Sequence, residues 1–302
     1  MILVTGATGS IGKPLVRRLQ KDGAAFKALV RDEAKGRVLD CDFAVGDFDD
    51  PGSIVAALEG VDRLFLNGAG AHPVEGEQPM IRQQKAVIDA ARKAGVARIV
   101  KVSVWHAHEG GRLAEGAHWQ IEQYLKASGL GWSLLQPSGF MQNFITGAGS
   151  FTVDGDLVGS YADAPVSYID CEDIAACAAT LLTGPYGNGE IFVLTGPQAL
   201  THAQIADKLS AALGRTVRYV DLPSEELAAT LKSQGLPPRF AEDVAILLKE
   251  VASGSLATTT SAVQDLTGRP ARTFEDFLAA NHQDLQALLV DCKPKFFPMI
   301  HN

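Results

Sequence analysis

Residues 1–12 read Met1-Ile2-Leu3-Val4-Thr5-Gly6-Ala7-Thr8-Gly9-Ser10-Ile11-Gly12. Ile2, Leu3 and Val4 make a short apolar run, long enough for a buried strand and cut off by glycine before a helix forms. Glycine then recurs at every third position, and Pro14 to Leu19 resumes with helical apolar spacing. A strand, a glycine turn and a helix in that order aim unpaired backbone N–H groups and the positive end of a helix dipole at whatever lies over the turn. The occupant expected there is an anion, and a pyrophosphate fits best.

The spacing departs from G-x-G-x-x-G, yet each glycine has a job. Gly6 permits the sharp turn, Gly9 admits a phosphate to the backbone, and Gly12 lets the helix pack close to its strand. A P-loop is the first competitor, because Gly12-Lys13 looks like its ending. Ala7 stands where that motif needs its first glycine, however, and Pro14 replaces the Ser/Thr that would hold magnesium. A plain glycine-rich surface turn would not need the strand and helix that flank this one.

The chain of 302 residues is long enough for a well-buried core, and 46% hydrophobic with 21% charged residues is ordinary for a globular protein. No segment reaches the ~18 consecutive apolar residues of a membrane span. Because the sequence starts on the first strand without a basic leader or an apolar signal region, a cytoplasmic location is expected. Cys41, Cys171, Cys177 and Cys292 contain no C-x-x-C pair, so reduced thiols are expected rather than a zinc site or a disulfide framework. A net charge of −8 argues against a nucleic-acid partner. His106, His108 and His118 lie close in sequence but lack an H-E-x-x-H pattern, and no metal is expected.

Phe26 to Val30 reads as a second strand ending in Arg31-Asp32, the position that faces the adenosine ribose of a dinucleotide. An Arg there accommodates a 2′-phosphate and an acidic residue takes the 2′-OH. The order favours NADP(H) and leaves NAD(H) open, while a solvated loop would make Arg31 indifferent to either. Phe43 to Val45, Leu64 to Leu66, Arg98 to Ser103 and Trp132 to Leu135 read as further strands. Between them lie helices from Asp50-Pro51, over Gln78 to Ala94, and over Glu115 to Ser128. Alternation of this kind predicts a mostly parallel sheet with ligands at the carboxyl ends of its strands. Ser103, Asn67, Asp47, Arg31 and the glycine turn all fall on that edge.

Beyond Phe140 the pattern loosens: a loop over Gly147 to Gly159, a short strand over Val166 to Ile169, and a helix over Asp170 to Leu182 with an Asp cap. Ile191 to Thr195, a helix over Thr201 to Leu213 and a strand over Val217 to Val220 suggest a smaller lobe. It continues in helices over 224–234, 239–251 and 274–289.

T-G-A-T-G-S-I-G at the amino end, V-R-D after the second strand, G-D-F-D-D after the third and the late G-R-P-A-R-T-F-E-D-F together resemble the NmrA-like family of atypical short-chain dehydrogenases/reductases. In character the chain is closest to the bacterial NAD(P)H quinone reductase, triphenylmethane dye reductase and azoreductase members. The resemblance runs from Met1 to about Leu289. It implies a Rossmann-like, doubly wound parallel sheet with a smaller carboxyl-terminal α/β substrate lobe. Residues 1–150 would be the NADP-binding domain, with the strands and helix near 166–195 returning to it or bordering it. The substrate lobe would span 151–290, followed by an irregular tail over 291–302. Carried over by position, Gly6, Thr8, Gly9, Ser10, Ile11 and Gly12 would hold the pyrophosphate, Arg31 the 2′-phosphate, and Asp47 and Phe48 the adenine. Asn67, Gly68 and Ala69 would lie along the ribose, and Ser103, Gln136, Pro137 and Ser138 beside the nicotinamide. Phe140 and Asn143 would face the substrate.

Most of the wider superfamily places a Tyr-x-x-x-Lys pair on the helix after the fifth strand. Here that helix carries His118-Trp119-Gln120-Ile121-Glu122, and Tyr124 and Lys126 cannot share a helical face. His118 and Glu122 are one turn apart, so the carboxylate could orient or charge the imidazole as a proton donor, with Ser103 nearby; an ordinary surface pair is the other reading. Trp105, Trp119, Phe140 and Phe144 could stack on a flat substrate or pack in the core. Two functions follow. One is hydride transfer from NADPH to a conjugated, electron-poor acceptor such as a quinone, azo compound or dye. The other is an NADP-binding redox sensor without turnover. A monomer or a homodimer is expected, with a small aromatic or quinoid partner.

Overall fold

The computed structural model describes residues 1–146, 151–152 and 154–290. The expected irregular tail over 291–302 and part of the expected loop after Gly147 lie outside the described residues. Nine strands occur among the described residues: β1 Ile2–Val4, β2 Phe26–Val30, β3 Phe43–Val45, β4 Arg63–Leu66, β5 Arg98–Val102, β6 Gly131–Pro137, β7 Leu157–Gly159, β8 Glu190–Leu194 and β9 Tyr219–Asp221. The helices are α1 Gly12–Lys21, α2 Glu33–Arg37, α3 Pro51–Ala57, α4 Pro79–Lys93, α5 Leu113–Ala127, α6 Cys171–Thr183, α7 His202–Leu213, α8 Ser224–Ser233, α9 Pro238–Ala252, α10 Ala262–Thr267, α11 Phe274–Ala280 and α12 His282–Val290. No described helix is long and apolar enough to cross a membrane.

Seven strands form one parallel sheet in the order β3-β2-β1-β4-β5-β6-β8, the Rossmann-like doubly wound arrangement. One face is buried by α1 and α6 through residues such as Leu15, Leu19, Ile174 and Leu181. The other is covered by α3, α4 and α5 through Ile54, Ile88, Ile121 and Leu125. Burial on both faces is why β1 is wholly apolar and β4 and β5 carry the runs Leu64-Phe65-Leu66 and Ile99-Val100 rather than strict alternation. Strand order reverses between β2-β1 and β4-β5, and the carboxyl ends at such a switch are where open α/β sheets bind ligands.

Carboxyl-terminal to this sheet, β7 and β9 pair as a separate two-stranded parallel ribbon. Phe144, Phe274, Phe277 and Leu209 centre one apolar cluster, and Leu227, Phe240 and Val244 centre another that reaches Leu113 and Ala114 of α5. The late G-R-P-A-R-T-F-E-D-F segment is tied back to the start of α6: Arg272 N–H donates to Asp173 Oδ2 at 2.7 Å, and Thr273 caps α11 in a capping box with Asp276.

Several expectations need correction. The strand read over Val166 to Ile169 is a connector with single bridges only. Its backbone N–H groups are divided among three partners, Leu200, Leu256 and Gly139, so no ladder propagates. Residues 157–159, read as loop, are strand β7. Residues 190–194, which their pattern grouped with the smaller lobe and the resemblance returned to the first domain, pair with β6 at the edge of the large sheet. The last helix is interrupted at Asn281, where the backbone leaves helical geometry (φ −119°, ψ 23°) while its N–H and Nδ2 share the Phe277 carbonyl oxygen at 3.1 and 2.8 Å.

Candidate functional site

The glycine turn leaves β1 at the topological switch. Gly6 has φ +63°, in the left-handed region. Gly12 lies so near the turn that a Cβ on it would stand 2.0 Å from the Gly6 carbonyl oxygen and 2.6 Å from the Ala7 Cα. Ile11 precedes α1 and supplies no side-chain cap, and its side chain is buried in the core, so only its backbone faces outward chemistry. Lys13 N–H donates to the Gly9 carbonyl oxygen at 3.1 Å and Pro14 has no N–H, so the N–H groups of Ser10, Ile11 and Gly12, without a backbone partner among the described residues, are the ones open to an anion. Thr8 is exposed, and Gly9 and Ser10 are half-buried beside them.

Across the switch the Thr5 hydroxyl accepts the Asn67 N–H at 2.9 Å and lies 2.9 and 2.7 Å from the Phe65 and Asn67 carbonyl oxygens, clamping β1 to the end of β4. Asn67 is 3% exposed, yet neither its Nδ2 nor its Oδ1 has a partner among the described residues. A buried amide left unpaired is costly unless something polar lies against it. With the uncapped helix end, it fits a phosphodiester or ribose ligand at the turn. Gly68 lies against Phe48, 3.3 Å from the ring to the place of a Cβ, and Ala69 beyond it is exposed. The Asp47 carboxylate accepts the Asp49 N–H at 2.9 Å.

Arg31 and Asp32 part company. Asp32 caps α2, accepting the Lys35 N–H at 2.9 Å with the Lys35 ammonium 3.4 Å away, and this hydrogen bond holds its carboxyl below the usual range. Arg31 is exposed at the end of β2 with no ion-pair partner among the described residues. The guanidinium, not the carboxylate, is the group left to meet a ribose substituent.

A cleft of about 240 Å³ opens beyond the carboxyl ends of β5 and β6. Ser103, Trp105, His118, Pro137, Ser138, Phe140 and Asn143 line it from the large sheet's side, and Tyr161, Tyr168, Phe240 and Glu250 from the rest of the chain. Gln136, Glu122 and Trp119 do not line it. Gln136 and Glu122 stand one layer behind Ser103: the Ser103 hydroxyl donates to Glu122 Oε1 at 2.5 Å and Gln136 Nε2 donates to the same oxygen at 2.9 Å. Lys126 lies 3.5 Å from the other carboxylate oxygen.

Two expectations fail here. His118 and Glu122 are both buried, and they do not pair. His118 Nδ1 lies 2.7 Å from the Nζ of Lys101, while Glu122 is taken by Ser103, Gln136 and Lys126. Lys101 and Ser103, two residues apart on one strand face, intercept the two α5 side chains before they can meet. Phe144 does not reach the cleft either: it packs edge-on to Tyr168 (5.0 Å) and Phe274 (5.4 Å) in the carboxyl-terminal core.

Lys101 was not singled out from the sequence, although a lysine inside Arg98-Ile99-Val100-Lys101-Val102 is a charge in a strand buried on both faces. Burial pushes its ammonium down to about 7, partly opposed by Glu122. It donates to the Val102 carbonyl oxygen at 2.9 Å. While charged, the ammonium has donors and no acceptor, so His118 Nδ1 accepts from it and the imidazole proton resides on Nε2. Burial and the neighbouring Lys101 hold His118 well below the usual imidazole range, keeping it neutral. The ring therefore offers the cleft an Nε2–H donor.

The lowered pKa carries a stability prediction. Between about 7 and the ordinary lysine range the unfolded chain binds a proton at Lys101 that the folded chain does not, so this residue makes stability rise with pH across that window. Lys101→Met is expected to raise stability more at about pH 6 than at about pH 10, read by chemical denaturation at each pH.

The NmrA-like family model matches residues 1–278. The chain is 38% identical over 286 residues to an NAD(P)H azoreductase from Xenophilus azovorans, covering 93% of this chain and 98% of that protein. It is similar to the structure of an NADPH-dependent quinone oxidoreductase from Escherichia coli complexed with NADPH (TM-score 0.80, 28% identity, 93% of this chain and 100% of that one). It is also similar to that of a Citrobacter sp. triphenylmethane reductase complexed with NADP(H) (TM-score 0.78, 26% identity, 93% and 100%). Sheet order, glycine turn and comparisons agree, and this chain belongs to the NmrA-like family.

Proposed function

We propose that this chain is an oxidoreductase that transfers hydride from NADPH to a conjugated, electron-poor acceptor: a quinone, an azo compound or a related dye. The observation that carries the reading is the aromatic cleft beside Ser103, Pro137 and Ser138, on the same sheet edge as the glycine turn. The azoreductase, quinone oxidoreductase and dye reductase relatives support it.

The backbone of Gly6 to Gly12 would hold the pyrophosphate, and Arg31 the 2′-phosphate. Asp47, Phe48, Asn67, Gly68 and Ala69 would flank the adenosine half, with Ser103, Gln136, Pro137 and Ser138 beside the nicotinamide. Bound there, NADPH supplies hydride; the chain supplies position. Glu122 fixes the Ser103 hydroxyl, and Lys101 fixes the tautomer of His118, whose Nε2–H donates a hydrogen bond to the oxygen or nitrogen of the acceptor. Trp105, Phe140 and Asn143 would face the acceptor. Tyr124 does not serve as the proton donor in this reading, because its hydroxyl is committed to Asp89 at 2.8 Å. A conjugated acceptor spreads incoming charge over its own π-system and takes protons from water, so orientation is the main contribution.

Loss of the NADPH absorbance band with a quinone and with an azo dye tests the reading. Oxidation with either supports it; tight coenzyme binding with no oxidation by any acceptor would favour a sensor. Arg31→Ala is expected to weaken NADPH by about 1.5–3 kcal/mol, as for a charge-assisted hydrogen bond, and NADH hardly at all. Equal losses in calorimetry would remove the 2′-phosphate role.

A further inference from the structure

We propose that the acceptor cleft selects conjugated aromatic cations, with Glu115 as the side chain that reads the charge and Glu250 assisting it. The inference rests on the reductase reading above. Glu115, in the first turn of α5, lines the cleft and is only 9% exposed, yet its carboxylate has no hydrogen-bond or ion-pair partner among the described residues. Glu250 lines the same cleft from α9. No lysine or arginine lines it among the described residues. The nearby Arg112 is paired with Asp243, and Lys101 stands behind His118.

A carboxylate withdrawn from water without a cation is unfavourable. Burial, and then Glu250, push the Glu115 carboxyl up to about 7, with His108 opposing. A cationic ligand would supply the missing partner. The walls favour the same ligand: Trp105, Phe140, Tyr161, Tyr168 and Phe240 present aromatic surface, whose faces attract cations. Burial raises the hydroxyl pKa of both tyrosines, so they stay neutral and add no counter-charge. The turn that carries Glu115 is closely built, because a Cβ on Gly116 would lie 2.0 Å from the Gly111 carbonyl oxygen. A sulfonated acceptor of the same shape would meet like charge. Since a singly charged cation that accepts hydride becomes neutral, the carboxylates hold substrate in preference to product.

The test is equilibrium binding, at about pH 8, of a cationic triarylmethane dye and of its sulfonated, anionic counterpart, to the chain with and without NADP. The cation is expected to bind at least about tenfold more tightly, a ratio lost in Glu115→Gln and reduced in Glu250→Lys. Glu226→Gln, on the exposed face of α8, should leave the ratio intact. Equal affinity for the two dyes in the unaltered chain would overturn the proposal. So would a ratio unchanged in both Glu115→Gln and Glu250→Lys, and if Glu115→Gln does not fold, Glu250→Lys decides. Failure here with NADPH still oxidised by a quinone would leave the reductase reading standing; failure to bind NADPH at all would remove that reading first.

Discussion

Gly12→Ala is expected to abolish NADPH binding and to lower the melting temperature. The added methyl would sit 2.0 Å from the Gly6 carbonyl oxygen and 2.6 Å from the Ala7 Cα, and both are backbone atoms that no rotamer change can move aside. Either α1 is pushed off the sheet or the turn is displaced. The first spoils packing of Leu15 and Leu19 against β1, at the roughly 1–3 kcal/mol typical of overpacked cores. The second misdirects the N–H groups of Ser10, Ile11 and Gly12, which act on a phosphate only when they converge on it. Calorimetry with NADPH and a thermal melt on the same preparation separate the two losses. Wild-type affinity in the variant would show that the turn does not cradle the coenzyme.

His118→Ala should lower kcat with a quinone by about a hundredfold while leaving NADPH affinity within about twofold. That magnitude is the usual loss of one preorganised donor aimed at oxygen that gains charge. The imidazole is poised for that part because Lys101 lies 2.7 Å from Nδ1 and burial keeps the ring neutral, and the ammonium, charged below about 7, fixes the donor on Nε2. Lys101→Met should lower kcat in the same direction by a smaller factor, since the ring would remain with its tautomer unpinned. Unchanged kcat in His118→Ala across pH would reduce the histidine to a packing residue.

The expected pairing of His118 with Glu122 shows where a linear reading stops. Four-residue spacing places two side chains on one helix face, and it says nothing of what the neighbouring strand presents to that face. Here β5 presents Lys101 and Ser103, and each captures one partner. Phe144 makes the same point from the other side: an aromatic near a substrate loop reads as a stacking surface, and the fold turned it into the core against Tyr168 and Phe274. Glu115 in a helix's first turn reads as an ordinary favourable end charge. Only the approach of α9 and the loop after β5 withdrew it from water.

The strands β1 to β6, the glycine turn, the helix cap at Asp170 and the parallel sheet were legible from the residues alone. Each depends on periodicity, on backbone sterics or on a side chain reaching its own neighbouring N–H groups, all properties of consecutive residues. The orphaned Asn67 amide, the Lys101–His118 contact, the Glu122 network and the unpaired Glu115 were decided by tertiary structure. They depend on contacts between different elements, and whether a buried polar group finds a partner depends on which elements cross over it.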